Sequence, residues 1–287
     1  MTKNNSVNYV LHAKSDEFYW EGNGQLSIKT FSNGKARYQT KRGFYAIEED
    51  RYLLLNAGPY TISIDEPREV ESFCIFFQDG FAEEVFHSLS ETNDRLLSDP
   101  FKDKSPLGFF EKTYPQNAAL NAVLHDFKRT LSGTERMSIG YEEQFHQIMQ
   151  ALLEDQLQIC QEVELLKAVR KSTREELYRR VNTANEYIRA YFDRPVKLDD
   201  IAAAACLSPN HLLRTYKQLY KRTPHQHITE FRIQKARQLL SETNYTMTEI
   251  TFLLGLQNPA SFSKLFKQFA GISPADYRKK VRMDKTR

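Results

Sequence analysis

The chain has 287 residues, 40% of them hydrophobic and 27% charged, which is long for one domain and suggests two, each with enough apolar residues for a core. No apolar run approaches the ~18 residues that a membrane-spanning helix needs, and Met1-Thr2-Lys3-Asn4-Asn5 carries no signal-peptide apolar segment, so a cytoplasmic protein without membrane contact is expected. The formal net charge of +3 hides an asymmetry: residues 171–287 hold 22 Lys+Arg against 11 Asp+Glu, a surplus of +11, whereas residues 1–170 hold 18 against 26, or −8. A basic half is the footprint of a polyanion-binding surface, and the acidic half needs another task. Cys74, Cys160 and Cys206 are odd in number and show no CxxC spacing, which argues against a disulfide or zinc framework and for buried, reduced thiols.

Residues 1 to about 78 read as strands. Apolar and polar residues alternate over 25–31 and again over 36–40, and Ser32-Asn33-Gly34-Lys35 lies between, so a hairpin with an Asn-Gly turn is predicted. Further strands are expected over 44–48, 52–56, 60–65 and 70–77, punctuated by Asp50, Gly58-Pro59 and Pro67. Short, evenly spaced strands indicate a barrel or sandwich. Trp20, Tyr38 and Tyr45 could line its interior, although aromatic residues in strands are more often plain core. Residues 80–90 look helical, and 98–115, with three prolines, irregular.

Helical spacing returns over 116–133 and over about 139–171. Leu120, Val123, Leu124 and Phe127 form one stripe; Phe145, Ile148, Met149, Leu152 and Leu153 form another. Leu157, Cys160, Val163 or Leu165, and Leu166 continue it at loose heptad spacing. Core packing accounts for such a stripe first, and a seam between two copies second. The basic residues Lys167, Arg170, Lys171, Arg174, Arg179 and Arg180 then cross the expected domain boundary, and residues 186–192 form the first helix of the next domain. Its arginines, like those elsewhere in the domain, are candidates for phosphate contacts, which add affinity without sequence information.

From residue 198 a unit of about fifty residues is written twice. Arg214-Thr215-Tyr216-Lys217-Gln218 matches Lys264-Leu265-Phe266-Lys267-Gln268 at an offset of 50 (264 − 214), and the same offset carries Pro209 to Pro259 and Thr223-Pro224 to Ser273-Pro274. Upstream the offset is 49 (250 − 201), so the second turn holds one extra residue. Each copy reads as two short helices around a tight turn, with Ser208 or Asn258 as N-cap and Pro209 or Pro259 in the first helical position, where a missing N–H costs nothing. In each second helix one face is apolar: Leu212, Tyr216 and Leu219, then Phe262, Phe266 and Phe269. Facing outward are Asn210, His211, Leu213, Arg214 and Lys217, then Ala260, Ser261, Ser263, Lys264 and Lys267. Such residues on the N-terminal turns of a helix can enter the major groove and reach base edges, with Arg and Lys suited to the acceptors of guanine. One copy alone could be an ordinary solvated face; two at fixed spacing are hard to explain that way.

Over roughly residues 180–282 the chain resembles the AraC/XylS family of bacterial transcription regulators. The resemblance rests on Ala205-Cys206-Leu207-Ser208-Pro209, on Arg232-Ile233 with Ala236 and Leu239-Leu240, on Gly255-Leu256, Phe262-Ser263-Lys264 and Phe266-Lys267, and on Gly271-Ile272-Ser273-Pro274 followed by Tyr277-Arg278. It implies a seven-helix domain in which a linker helix, here about 223–241, holds two helix-turn-helix units for consecutive major-groove entries. It also implies a cupin-like sensing barrel in the strand region, although the match there is generic, and pairing of two chains through the helices that follow. Two positions depart from the pattern. Cys206 stands where the family often has Gly, and Lys221 stands where the second copy has Gly271, so a left-handed residue there would cost about 1 kcal/mol or more.

Catalytic signatures are missing. A metallo-cupin needs a cage of His and Glu, but the strand region holds His12 alone and His87 follows it. His225-Gln226-His227 lacks a third ligand nearby, Glu143-Gln144-Phe145-His146 is a lone ExxH, and Gly22-Asn23-Gly24 lacks the other glycines of a phosphate cradle. The fold class expected is therefore an α+β two-domain chain: residues 1–170 as a cupin-like β-barrel with following helices, for sensing or dimerisation, and residues 180–282 as an all-α domain with two helix-turn-helix units. The function expected is that of a sequence-specific, DNA-binding, effector-responsive transcription regulator, not an enzyme, with no cofactor or metal. Its partners would be double-stranded DNA, RNA polymerase, a small-molecule effector and a second copy of the chain. A cupin-type metabolic enzyme with an appended DNA-binding domain is the alternative.

Overall fold

The computed structural model describes residues 7–90, 107–132 and 139–285. The chain divides into two compact units, Met1–Arg179 and Arg180–Arg287.

The first unit is built on a seven-stranded antiparallel sheet whose order is β4-β3-β6-β2-β5-β7, with β1 on the other side of β6. The strands are β1 (Tyr9–Gly24), β2 (Ser27–Ser32), β3 (Ala36–Thr40), β4 (Gly43–Ile47), β5 (Arg51–Leu55), β6 (Gly58–Phe76) and β7 (Lys112–Pro115). The last of these corrects the expectation of an irregular stretch over 98–115, of which residues 98–106 lie outside the described residues. β7 forms because its residues can extend the ladder of β5, and Tyr52 stacks on Tyr114 across the pair with centroids 5.0 Å apart.

At 19 residues β6 is long enough to hold two shorter strands end to end. Ser27 to Ser32 of β2 lie opposite Phe76 to Glu71, and Arg37 to Thr40 of β3 lie opposite Ser63 to Tyr60. The predicted hairpin between residues 25–31 and 36–40 is therefore absent. Asn33 does adopt the left-handed conformation that the Asn-Gly signal promises, at φ 66°, but the turn passes the chain along β6 instead of folding one strand back on the other. The reason lies in β6 itself. The β1–β6 register breaks between Ser15, opposite Val70, and Glu17, opposite Asp65. Residues 66–69, with Pro67 among them, bulge out of the ladder, as proline favours, and the Asn33 turn passes this interruption.

Two layers of packing follow from the pleat. On one face Phe31, Tyr38, Tyr45, Leu53, Ile62, Cys74 and Phe76 belong to one buried cluster inside the curved sheet. On the other face Phe73 and Phe77 meet Phe127 and Phe145 edge-on at 6.0 and 6.3 Å, which docks the helices α1 (Phe81–Ser90), α2 (Ala118–Ser132) and α3 (Ile139–Glu164). The predicted stripe residues Leu120, Leu124, Phe127, Phe145, Ile148, Met149, Leu152 and Leu153 are all buried here. Of the predicted continuation, Val163 and Leu166 are buried as well, whereas other members turn outward. Leu157 and Leu165 are 60% and 58% exposed, and α3 stops at Glu164 instead of running on to 171. Cys160 and Cys206 are exposed too, which corrects the expectation of three buried thiols; Cys74 alone of the three is buried.

The division between the units falls inside α4 (Lys171–Tyr191), a helix that begins well before the predicted residue 186. It is followed by α5 (Leu198–Ala204), α6 (Pro209–Tyr220), α7 (Pro224–Glu242), α8 (Met247–Leu253), α9 (Pro259–Ala270) and α10 (Pro274–Lys285). Together with α4 these make the seven helices that the resemblance implies.

Candidate nucleic-acid interface

Each repeat closes on a left-handed residue. After α5, Cys206 sits at φ 51°, its amide donates to Ala203 O at 3.0 Å, and the amide of Leu207 reaches back to Ala202 O at 2.9 Å. After α8, Gly255 sits at φ 66°, with Gly255 N to Phe252 O at 2.9 Å and Leu256 N to Thr251 O at 3.0 Å. These bonds satisfy helix-end carbonyls in the way a C-terminal cap does. The N-caps come next: Ser208 accepts from His211 N at 3.3 Å and Asn258 accepts from Ala260 N at 2.8 Å. Leu207 adjoins its cap and Leu256 does not, so Gln257 is the extra residue of the second turn.

The two second helices, α6 and α9, are 12 residues each and end alike, on Lys221 at φ 59° and Gly271 at φ 77°. Leu212 and Tyr216 of α6 and Phe262 and Phe266 of α9 are fully buried. Opposite them Asn210, Arg214 and Lys217 are exposed at i, i+4, i+7, and Ala260, Lys264 and Lys267 are exposed at the same positions fifty residues on, with Ser261 beside them. His211, Leu213 and Ser263 are half-buried at the stripe edge. One expectation fails here: Phe269 is 43% exposed, not core. It sits in the last turn of α9, beyond the reach of the cluster formed by Ile233, Ala236, Leu240, Ile250, Leu254, Phe262 and Phe266.

The helix between the repeats serves both. Near its start, His227 of α7 is buried, stacks on Phe231 at 4.4 Å, and its Nδ1 lies 2.6 Å from the Tyr216 hydroxyl, which in turn donates to Asn185 Oδ1 at 3.0 Å. Burial holds the Tyr216 phenol well above its ordinary pKa, so the hydroxyl keeps its proton, and the tautomer of His227 sets the direction of the bond between them. His227, half of the His225-Gln226-His227 signal, is thus a packing residue of the first repeat. Near the end of α7, Ile233, Ala236 and Leu240 enter the core of the second repeat. One rod therefore fixes both stripes relative to each other.

Several of the basic residues are committed to holding the fold. Arg232 donates to Phe192 O at 2.8 Å and Arg194 O at 3.0 Å, closing the end of α4, and desolvation lowers its pKa. Arg282 donates to Thr243 O at 2.8 Å, and Arg278 to Tyr245 O, pinning the turn before α8. Arg180 donates to Cys206 O at 3.0 Å, and Arg174 pairs with Glu164 at 2.8 Å, so these two basic residues of the boundary segment are structural. By contrast, no side chain among Arg214, Lys217, Lys264 and Lys267 enters an ion pair among the described residues. Sequence reading could not separate these classes, because a cap and a phosphate ligand use the same residue types.

In the first unit, the concave face of the sheet encloses a cavity of about 350 Å³ that Trp20 and Tyr38 line. Tyr45, the third aromatic residue singled out from sequence, lies in the core cluster and not on the cavity wall.

Comparison with known proteins places a helix-turn-helix domain over residues 201–280. Among curated proteins the chain is similar to an uncharacterised helix-turn-helix transcriptional regulator, YisR of Bacillus subtilis, with 36% identity over 98 residues, 34% of each chain. It is also similar to the bifunctional transcriptional activator and DNA repair enzyme AdaA of the same organism, with 31% identity over 106 residues, 37% of this chain and 50% of that one. Among solved structures it is similar to a transcriptional regulator with an AraC-type DNA-binding domain from Chromobacterium violaceum: 27% identity, 36% of this chain and 91% of that one, at a TM-score of 0.34. The matches span about a third to a half of the curated relatives' own lengths. With the duplicated caps, the paired stripes and the shared rod, the match over residues 201–280 makes the carboxy-terminal domain of this chain a helix-turn-helix domain of the kind found in AraC/XylS transcriptional regulators.

Proposed function

We propose that the protein is a sequence-specific, effector-responsive transcription regulator that reads two successive major-groove segments of one duplex. Asn210, His211, Leu213, Arg214 and Lys217 would face the first segment; Ala260, Ser261, Ser263, Lys264 and Lys267 would face the next, about 10 bp away. The observation that carries the reading is the stripe repeated in register on two helices that a single rod holds. A rigid pair of probes limits which spacings of half-elements can be bound together, and a +11 surplus over residues 171–287 supplies phosphate attraction. Selection of bound duplexes from a random pool tests it. Two conserved elements about one helical turn apart are expected; a site of half that length, or binding indifferent to sequence, overturns the proposal.

Pairing of two copies through α3 belongs to the same reading. It is supported by Leu157, a large apolar residue of α3 that is left exposed although Ile159 and Val163 of the same helix are buried, with Cys160 exposed beside it. Contact with RNA polymerase is the expected route from a bound operator to a change in transcription.

A further inference from the structure

Lys29 is 1% exposed, on a strand whose neighbours place Leu53 and Cys74 opposite it. Its Nζ lies 3.4 Å from the Phe76 ring centroid and 5.4 Å from that of Tyr60, and donates a long bond, 3.4 Å, to the Tyr60 hydroxyl. An ammonium removed from water loses several kcal/mol of hydration, which ring faces and one hydroxyl return in part. A carboxylate would return more, yet among the described residues no Asp or Glu lines the cavity into which Lys29 opens. Desolvation accordingly lowers its pKa to about 8, so at neutral pH the group remains mostly charged and lacks a counter-ion on the cavity wall.

The cavity walls are made for a hydrocarbon. β1 supplies Leu11 and Ala13 from odd positions and Phe18 and Trp20 from even ones, and the register break between Ser15 and Glu17 is what keeps both sets on the same face. Across from them stand Tyr38, Ile62, Ile64 and Phe76. A volume of about 350 Å³ lies within the range of small-molecule sites. A polyol would leave most of its hydroxyls against carbon on such walls. An imine on Lys29 would need a proton carrier, and among the described residues neither His nor a carboxylate lines the space.

We propose that the cavity binds an apolar monocarboxylate, with its carboxylate on Lys29 Nζ, the Tyr60 hydroxyl as second donor, and its hydrocarbon body against Trp20, Tyr38 and Ile62. This names the effector class of the regulator proposed above, but occupancy is measured without DNA and so stands or falls separately. Trp20 is the chain's one tryptophan and lines the cavity, so its emission reports filling directly.

The test is a titration of the full-length chain with hydrocinnamate and octanoate, each beside its neutral carboxamide. A saturable change in Trp20 emission is expected for at least one acid, with its amide weaker by roughly tenfold, the worth of a charge-assisted hydrogen bond. Lys29→Met, close in length and apolar, should bring acid and amide to equal affinity, and Tyr60→Phe should weaken the acid alone. Equal binding of acid and amide by the native chain overturns the proposal with no variant needed. So does an acid preference that survives Lys29→Met, or silence of Trp20 towards both acids. A chain that prefers the acid yet binds no DNA keeps the site and loses the regulator; the reverse result keeps the regulator and loses the site.

Discussion

Gly255 stands against the peptide that joins Asp193 to Arg194: a β-carbon built on it would overlap the Asp193 carbonyl and come within 2.7 Å of the Arg194 nitrogen. The turn of the second repeat is thereby seated on the end of α4, the helix that Arg232 closes from the other side. Two demands meet at this residue, a left-handed φ of 66° and no side chain. Gly255→Ala should therefore destabilise the domain by more than the ~1–2 kcal/mol of the conformational penalty alone. Gly271→Ala, at φ 77° with open space around it, should cost only that penalty. Chemical denaturation of both variants checks the ranking; equal losses would mean that the close approach contributes nothing.

Lys221 occupies the same left-handed position in the first repeat at φ 59°, and its ammonium does no more than bond Gln218 O at 2.8 Å on the surface. Lys221→Gly should raise stability by about 0.5–1 kcal/mol, the relief of backbone strain less the extra freedom of glycine when unfolded. A lower midpoint of unfolding would show that the lysine contributes more than its conformation costs.

Arg214→Ala and Lys264→Ala should each weaken binding to a selected operator by about 1–3 kcal/mol if they meet base edges, while binding to random duplex falls less. Competition titrations at two salt concentrations separate the cases. Equal losses on both duplexes, with a shallower salt dependence, would assign that residue to a phosphate.

On the proposed pairing, Leu157→Glu should yield monomers without loss of fold, since Leu157 is 60% exposed in the single chain. Sedimentation at micromolar concentration reads this. A native chain already monomeric there would remove α3 as a pairing surface.

Lys29 gives a pH dependence of known sign. Its folded pKa, about 8, lies below the ordinary 10.5, so between those values the unfolded chain holds more protons and stability from this group rises with pH. Facing it are Tyr38, Tyr60 and Tyr9, whose phenols burial raises, and Cys74, whose thiol burial also raises; these oppose the trend as pH climbs. The comparison to make is native against Lys29→Met from pH 7 to about 10, followed through Trp20. The variant should start more stable and lose its advantage as pH rises; a constant difference would mean that Lys29 does not titrate in this window.

Local rules were enough for the carboxy-terminal domain. Ser208, Asn258, Thr223 and the prolines after them set where helices start, and the repeat of Arg214 and Lys217 as Lys264 and Lys267 set which face is free, because caps and a period of 3.6 act within a few residues. The left-handed backbone at Lys221 was legible in the same way, from the glycine that stands at the matching place in the other copy, and that at Cys206 from the glycine which the resemblance puts there. The sorting of arginines was not. Arg232 and Arg282 reach carbonyls about forty residues away in the sequence, and nothing adjacent to them announces it.

The strand region shows the same limit more strongly. Alternation along residues 25–31 places Lys29 and Phe31 on one face and Ile28 and Thr30 on the other, but it does not say that both faces are covered, and β2 is buried throughout Ser27 to Phe31. Residues 9–24 fell within the stretch read as strands but without bounds of their own, because β1 changes the parity of its inward residues at the break after Ser15. What the sequence determined by itself was each element whose hydrogen bonds close within one or two turns of the chain. What tertiary structure alone decided was which strand of a long-range ladder lies beside which, and so which side chains end inside: the Asn33 turn fits a hairpin as well as a step along β6, and the length of β6 made the choice.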